Sequence, residues 1–408
     1  MSINTEATTD VVRPGTPAWT ALLERIAAGA NERERDKVAP HEVIGWIKEA
    51  GLGRLRLPVE EGGAGLTLPE FFAALIDLAE ADSNAAHILR THYWFVEQHL
   101  QSSNDPAFRA RLALARDNKL VGNGFSEQSK LPVGLYFETA FTPDPSGDGG
   151  YRLNGTKYYS TGSIYSDYTQ IWASAPDGRI AGAVIPVDRP GVSILDDWDG
   201  FGQRLTGTGT TQLDDVRVEA EEFFDLGEPD GEPVPGYQGA FLQLYLQAVT
   251  AGVLRSARND AIALVKRRAR NYSHANAPKS PAEDPQVLQV VGEISADVFA
   301  AEALVLRAAE ALQAAADSVV DGVPTAEAAE AAQLAAAQAK VAVDRFSYAT
   351  AAKLFDVGGT SATQAAFNHD RHWRNVRTIS THNPTFLKAT AIGANVVHGT
   401  AFPANAYF

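Results

Sequence analysis

The sequence contains no cysteine among its 408 residues and only one methionine. The lack of cysteine excludes disulfides, thiolate nucleophiles, and zinc or iron–sulfur centres held by cysteine. No apolar stretch approaches the roughly 20 residues that a membrane-spanning helix needs. The segment from Met1 to Pro14 is polar and lacks the apolar centre of a secretion signal. We therefore expect a cytoplasmic protein that spans no membrane.

Basic residues are also in deficit, with 35 Lys and Arg against 50 Asp and Glu and a formal net charge of −15. We do not expect a nucleic-acid partner, because a phosphate backbone requires a basic face. Basic residues do cluster at Lys266–Arg270 and Arg371–Arg377. Either cluster could hold the phosphate of a cofactor or could be ordinary solvated helix surface.

The hydrophobic periodicity changes twice along the chain. Apolar residues recur at helical spacing from Pro17 to about Asn118, then short β-type runs follow, and helical spacing returns from about Tyr237. The pattern predicts a helical domain at 17–118, a β domain at 119–232 and a helical bundle at 233–408.

The middle region predicts short strands separated by turn residues. The pair Asn154-Gly155 lies between alternating residues, which is the usual pattern of a hairpin turn. Further strands are predicted at Ile171–Ala175, Gly182–Val187 and Thr211–Val218, as in a small antiparallel barrel or sandwich.

The last region is rich in alanine. The stretches Asp297–Ala316 and Ala326–Phe355 have high helix propensity, and the second ends near Gly358 and Gly359. Small residues on all sides predict closely packed helices, in a bundle or at an oligomer interface.

Two familiar kinds of site are not supported by the sequence. Gly200–Gly202 and Gly207–Gly209 lack the third glycine and the strand–turn–helix setting of a dinucleotide-binding motif. His369 and His372 have a spacing that could hold a metal, but the neighbouring arginines would repel a cation. We expect no metal site.

Two segments carry a resemblance to a known family. Phe201–Val218, with its G-x-R turn before a strand that ends in D-V-x-V, and Leu153–Lys157 resemble the acyl-CoA dehydrogenase superfamily. The resemblance implies an α+β fold with an N-terminal helical domain, a central antiparallel β-barrel domain and a C-terminal four-helix bundle, assembled as a homotetramer.

Three further segments resemble one branch of that superfamily, the two-component flavin monooxygenases of the dibenzothiophene monooxygenase type. They are Asn123 with Ser126-Glu127, Asp196–Trp198, and Asp370–Thr378. The last is rich in Trp, Arg and Asn and is the most specific of the three.

An acyl-CoA dehydrogenase needs a carboxylate to remove a proton from its substrate. The position that corresponds to one usual base is Ala365, and the stretch that holds the other, Phe241–Arg255, contains no Asp or Glu. The absence of both favours oxygenation over dehydrogenation, although a relocated base or a non-catalytic scaffold would also fit.

The resemblance implies an enzyme that uses reduced FMN and molecular oxygen and inserts oxygen from a flavin C4a-hydroperoxide into a small aromatic substrate. S-oxidation of a dibenzothiophene-like thioether is favoured, and hydroxylation of an indole, phenol or amine is the alternative. A separate NAD(P)H-dependent reductase would supply FMNH2, because no nicotinamide fold is present. FMN is favoured over FAD because the Gly-Ser-Asp loop of the dehydrogenases is replaced here by Gln128–Pro132.

The resemblance also implies site residues. His92, His382 and Ser126 are the predicted catalytic residues, although Ile379 replaces a further histidine of the pattern. The predicted cofactor-binding residues are Asn123, Ser126, Tyr159, Thr161, Arg270, Arg371, Gly358 and Gly359. The predicted substrate pocket consists of Tyr93, Trp94, Trp198 and Phe201. An aromatic stripe or an isolated histidine can equally be plain core.

Overall fold

The computed structural model describes residues 10–102, 106–130, 137–225, 237–268, 271, 278–403 and 408. Its first part is helical, as the periodicity predicts. The helices are α1 (Pro17–Ala27), α2 (Ala30–Asp36), α3 (His41–Glu49), α4 (Leu68–Ala81), α5 (Ser83–Ile88), α6 (Arg90–Gln101) and α7 (Pro106–Arg116).

Helix α4 shows why this part folds as it does. Thr67 and Glu70 form a reciprocal capping box at its start, which satisfies backbone N–H groups that the helix leaves unpaired. Its apolar face packs against the first long C-terminal helix. Asp82 ends α4 and at once caps α5, since its carboxylate accepts from the backbone N–H groups of Asn84 and Ala85 at 3.0 and 3.3 Å. This shared cap joins α4 to α5 without an intervening loop.

The middle part is one curled sheet. Its strands are β1 (Val121–Gly124), β2 (Ala140–Pro143), β3 (Tyr151–Lys157), β4 (Tyr168–Ser174), β5 (Ile180–Pro186), β6 (Val192–Ile194), β7 (Thr211–Val218) and β8 (Phe223–Asp225). The strand order is β6-β7-β3-β2-β4-β5-β8, and β1 pairs with β4.

The central β domain, predicted as a small antiparallel barrel or sandwich, differs from a regular antiparallel barrel in two details. Among the described residues the pairing path is open between β6 and β8. The pairings of β1 and of β2 with β4 are parallel, while the other pairings are antiparallel. Parallel pairing arises because long connections bring β1 and β2 back alongside β4 instead of closing tight hairpins.

The predicted hairpin turn at Asn154-Gly155 is wrong. Strand β3 runs through both residues, and its pairing with β7 shifts by one residue between Leu153 and Gly155. Gly155 has a φ of 148°, and a Cβ there would lie 2.4 Å from the Oγ1 atom of Thr139. The glycine therefore makes room for Thr139, and the extra residue of the β-bulge lies in β7, where the Asn154 side chain accepts from the Asp215 N–H at 2.8 Å.

The last part is a helical bundle. Its helices are α8 (Gln238–Arg267), α9 (Pro285–Asp317), α10 (Ala326–Gly358), α11 (Arg371–Ser380) and α12 (Thr385–His398). The long helices α8, α9 and α10 pack on one another, and the shorter α11 and α12 both lie against α10. The α+β fold class with this order of parts is confirmed. No helix in the described residues is long and apolar enough to cross a bilayer.

Candidate functional site

A cavity of about 530 Å³ lies where the three parts meet, and we call it the junction cavity. Its volume is in the range usual for small-molecule sites, about 300–1,000 Å³. The helical N-terminal part, the sheet and the bundle all contribute to its wall. The lining residues are His87, Arg90, Thr91, Trp94, Asn123, Phe125, Ser126, Glu127, Tyr159, Thr161, Trp198, Gln203, Thr206, Thr208, Leu242, Thr378, Ile379, Thr381 and His382.

A cluster of nitrogen-bearing side chains forms one end of the junction cavity. The Arg90 guanidinium donates to the Leu242 carbonyl at 3.2 Å and lies 3.3 Å from His382 Nε2. A guanidinium only donates hydrogen bonds, so Nε2 of His382 accepts and the ring proton of neutral His382 resides on Nδ1.

Both histidines of this cluster are neutral near pH 7. Burial, aided by the charge of Arg90, lowers the pKa of His87 to about 4. The surrounding protein and the same arginine hold the pKa of His382 well below its usual value. His382 is exposed to solvent in the structure, which weakens this lowering of its pKa.

Polar groups suited to a flavin line another part of the wall. The Asn123 backbone is fixed by Ser163, whose Oγ accepts from the Asn123 N–H at 3.0 Å. The Asn123 Oδ1 atom is buried and has no hydrogen-bond partner among the described residues. A buried acceptor without a partner is costly, so this atom fits a ligand that donates, as the ring N–H groups of a flavin do.

Tyr159 and Thr161 flank the same region of the wall. Tyr159 has a φ of 57°, is 55% exposed, and its ring meets the edge of Trp198 at 6.3 Å. Thr161 shares a 2.8 Å hydroxyl hydrogen bond with Thr208. An aromatic face that is held open beside hydroxyl groups suits a planar heterocycle with polar edges.

The carboxylate on the described cavity wall, Glu127, is already bonded to a lysine and to two backbone N–H groups. Its Oε1 accepts from Lys157 at 2.6 Å and from the Thr139 N–H at 3.1 Å, and its Oε2 accepts from the Glu138 N–H at 2.7 Å. Burial opposes its ionisation, but these bonds outweigh burial and hold its pKa below the usual value. Glu127 is therefore a fixed anion and is poorly suited to abstract a proton.

The two positions that hold the catalytic base in acyl-CoA dehydrogenases also place no carboxylate on the described cavity wall. Ala365 lies exposed in a short turn after α10 and does not line the junction cavity. The segment Phe241–Arg255 lies within α8 and contributes only Leu242 to the described wall.

The structure does not place His92 at the junction cavity, and its catalytic assignment is corrected. Its Nε2 lies 2.8 Å from the Gly53 carbonyl and its Nδ1 accepts from the Val121 N–H at 3.2 Å. Both ring nitrogens therefore link backbone segments. Tyr93 is likewise buried, with its hydroxyl bonded to the Leu52 carbonyl, and does not line the cavity.

Several predicted ligand residues also lie elsewhere. Phe201 is exposed and stacks on Trp373 with ring centroids 5.9 Å apart. Gly358 and Gly359 mark the end of α10, away from the cavity wall. Arg270 lies outside the described residues.

Arg371 lines a second cavity, of about 440 Å³, instead of the junction cavity. Its guanidinium donates to Asp260 at 2.7 Å. The same carboxylate lies 2.8 Å from His372 Nε2 and 3.4 Å from His369 Nδ1. The structure thus gives Arg371 a carboxylate partner within the bundle.

The junction cavity does bring together the other predicted residues: His382, Ser126, Asn123, Tyr159, Thr161, Trp94 and Trp198. The sequence reasoning missed His87, Arg90 and Gln203. The spacing of His87, Arg90, Thr91 and Trp94 is that of one helical face. That spacing could have shown that His92 points away from the face that carries Trp94.

Fold and cavity together define a three-part protein with a site for a planar ligand at the junction of its parts. Family models for the N-terminal, middle and C-terminal domains of acyl-CoA dehydrogenases match residues 20–112, 135–216 and 244–385. A probable FMNH2-dependent monooxygenase, SfnC, of Pseudomonas putida is 30% identical over 389 residues, which cover 93% of this chain and 94% of the relative. The chain belongs to the acyl-CoA dehydrogenase family.

Other relatives of similar length are monooxygenases. The dibenzothiophene monooxygenase of Mycolicibacterium goodii is 28% identical over 404 residues, 95% of this chain and 93% of the relative. Among solved structures, FMN-bound TdsC from Paenibacillus sp. A11-2 superposes with a TM-score of 0.85 at 27% identity, covering 96% of this chain and 98% of that one. The methanesulfinate monooxygenase MsuC from Pseudomonas fluorescens gives the same TM-score and identity over 96% and 100%.

Proposed function

We propose that this chain is a reduced-flavin-dependent monooxygenase that takes FMNH2 from a separate NAD(P)H-dependent reductase and oxidises a small aromatic substrate. The observation that carries the proposal is the junction cavity wall. It combines two neutral histidines and a guanidinium, while its described carboxylate is bound to Lys157. Proton delivery to oxygen needs such donors and no strong base.

The residues that would hold the flavin are Asn123, Ser126, Tyr159 and Thr161. When bound, reduced FMN supplies two electrons and the position at which dioxygen reacts. One oxygen atom goes to the substrate and the other leaves as water. Asn123 offers its unpaired acceptor, and the threonine and serine hydroxyls offer both donors and acceptors.

The remaining wall residues have distinct proposed roles. Trp94, Phe125 and Leu242 exclude water from the reacting atoms, which strengthens every polar interaction there. His382, with its ring proton on Nδ1, can donate toward the departing oxygen. Arg90 holds the His382 ring through Nε2. Catalytic roles therefore fall on His382 and His87 in place of His92.

The aromatic wall favours a flat, apolar substrate such as a dibenzothiophene-like thioether. A second candidate is an organosulfur anion, because the Arg90 guanidinium lines the same cavity and would attract a sulfinate or carboxylate. An indole, phenol or amine would meet the same aromatic wall.

The proposal extends to assembly and location. Helix α12 exposes Phe386, Leu387, Val396 and Val397, the first and last to 70% and 71%. An apolar helix face of this kind is suited to an interface between copies of the chain, and we propose the homotetramer that the family resemblance implies. We also propose a cytoplasmic location, because NAD(P)H is available there to the reductase.

The test mixes the purified chain with enzymatically reduced FMN and air, and offers dibenzothiophene, a sulfinate, indole and an aromatic amine in parallel. We expect one oxygenated product above the background of free FMNH2 oxidation. The competing dehydrogenase function is measured with an acyl-CoA series and a dye acceptor. Flavin bleaching there, with no oxygenated product, would replace this proposal, and no flavin binding at all would favour a scaffold.

A further inference from the structure

Gln203 joins the junction cavity to a buried polar network behind it. Its Oε1 lies 3.0 Å from His87 Nδ1, and its Nε2 donates to Ser83 Oγ at 3.0 Å. The side chains of all three residues are buried. The amide therefore has its oxygen toward the histidine and its nitrogen toward the serine.

The network continues from Ser83 to Asn375 and Glu34. Asn375 Nδ2 donates to Ser83 Oγ at 3.3 Å and to Glu34 Oε2 at 3.0 Å, and Asn375 Oδ1 accepts from the Gln203 backbone N–H at 2.7 Å. A carboxylate only accepts and a backbone N–H only donates, so the Asn375 amide has one satisfactory orientation.

Glu34 is the fixed end of the network. Asn84 Nδ2 donates to its Oε2 at 3.3 Å and Arg374 donates to its Oε1 at 3.2 Å. Asn84 in turn accepts from the Leu205 N–H at 3.2 Å through Oδ1. The carboxylate thus orients two amides, and the Gln203 loop is tied to the network through backbone as well as side chain.

We propose that Gln203 is a positioning residue that fixes the tautomer of His87, with the ring proton on Nδ1 and Nε2 left as a hydrogen-bond acceptor in the junction cavity. The Gln203 oxygen can only accept, so the ring nitrogen opposite it must carry the proton. The proposal rests on the proposed monooxygenase function for its catalytic consequence, but the tautomer itself does not.

It follows that the two histidines of the junction cavity have different roles. His382 accepts from Arg90 through Nε2 and carries its proton on Nδ1, whereas His87 carries its proton on the nitrogen that faces Gln203. His87 is then the acceptor that orients a substrate or water proton, and His382 is the donor. Arg90 and His382 are the charged and titratable groups that act on His87 from the cavity side.

The direct test is nitrogen NMR of the full-length protein labelled with ¹⁵N-histidine. The chain has nine histidines, and a His87→Gln variant identifies the signals of His87 by their loss. We expect wild-type His87 to show a protonated Nδ1 and an unprotonated Nε2 at pH 7. A proton on Nε2 instead would overturn the proposal whether or not the protein proves to be a monooxygenase.

Variants at Gln203 test the catalytic consequence. Gln203→Met keeps the length of the side chain and removes the acceptor, so His87 should populate both tautomers and kcat should fall about 10- to 100-fold, as when a histidine loses its orienting partner. Flavin affinity should not change. Gln203→Glu keeps an acceptor toward Nδ1, so it should retain the wild-type tautomer and recover activity. The added negative charge should move the acid limb of the pH profile to higher pH.

Gln247→Met is the matched control, because Gln247 is a buried glutamine of α8 whose amide atoms have no hydrogen-bond partner among the described residues. Its kcat and flavin affinity should stay at wild-type values. If Gln203→Met lowers flavin affinity and kcat in equal measure, or if Gln203→Glu fails to recover activity in a folded protein, Gln203 is only structural and the proposal fails.

Discussion

Replacing Lys157 with Met should destabilise the protein by leaving a charge without its partner beside the junction cavity. The Lys157 and Glu127 side chains are 0% and 6% exposed, and their charged atoms lie 2.6 Å apart. Removal of one partner from a buried pair typically costs about 3–5 kcal/mol. Glu127 keeps two backbone N–H bonds after the change, so we expect the lower end, about 3 kcal/mol.

Replacing the other partner of the pair, by Glu127→Gln, should destabilise the protein less than Lys157→Met. Burial already lowers the pKa of Lys157 to about 8, so the lysine can lose its proton at little cost when its partner is gone. Its ammonium also has the Phe125 carbonyl at 3.3 Å and the Phe137 ring at 4.0 Å. The asymmetry between the two variants is specific to this environment.

Urea denaturation of the wild type, both single variants and the double variant gives the coupling energy of the pair. Because the coupling is a difference of differences, contributions from distant parts of the chain cancel. A loss below about 1 kcal/mol for Lys157→Met, the range of exposed ion pairs, would refute the reasoning. A loss for Glu127→Gln that exceeds that of Lys157→Met would refute the asymmetry.

Three further predictions concern catalysis, substrate choice and pH. His382→Ala should slow product formation far more than it weakens FMN binding, measured by turnover and by flavin fluorescence titration; equal loss of both would make this histidine structural. Arg90→Met should raise the KM for a sulfinate or carboxylate-bearing substrate more than the KM for dibenzothiophene, and equal effects would remove the case for an anionic substrate. The melting temperature should fall as pH drops from 6.5 to about 4. Burial lowers the pKa of four histidines to about 4 in the folded state, whereas histidine in the unfolded chain accepts a proton near pH 6.5; the four are His87, His92, His99 and His372. A constant melting temperature over this pH range would contradict these pKa shifts.

The order of helical, β and helical parts could be predicted because each carries its own periodicity. Strand β7 coincides with the predicted Thr211–Val218, and the alanine-rich stretches lie inside α9 and α10. Asn154-Gly155 was misread because its local sequence fits a hairpin turn. Only the close approach of Thr139, 16 residues earlier in the sequence and next to β2, shows that the glycine makes room for a neighbouring strand.

The site was predictable where sequence neighbours share one wall, as in Asn123 and Ser126, or where a segment ends at the cavity, as with His382. His92 was misassigned because a histidine in an apolar helix does not reveal which backbone groups its ring will meet. Gln203 was missed because its importance depends on Ser83 and Asn375, which lie 120 and 172 residues away along the chain. A hydrogen-bond network of this kind exists only after folding.

The most direct test of the central claim follows oxygen from the gas into the product. The chain is mixed with reduced FMN under ¹⁸O₂ in the presence of an aromatic thioether, and the product is analysed by mass spectrometry. We predict a sulfoxide that carries one ¹⁸O atom, formed only when reduced FMN, oxygen and the chain are all present. A product without the label, or turnover of an acyl-CoA in the absence of oxygen, would contradict the account.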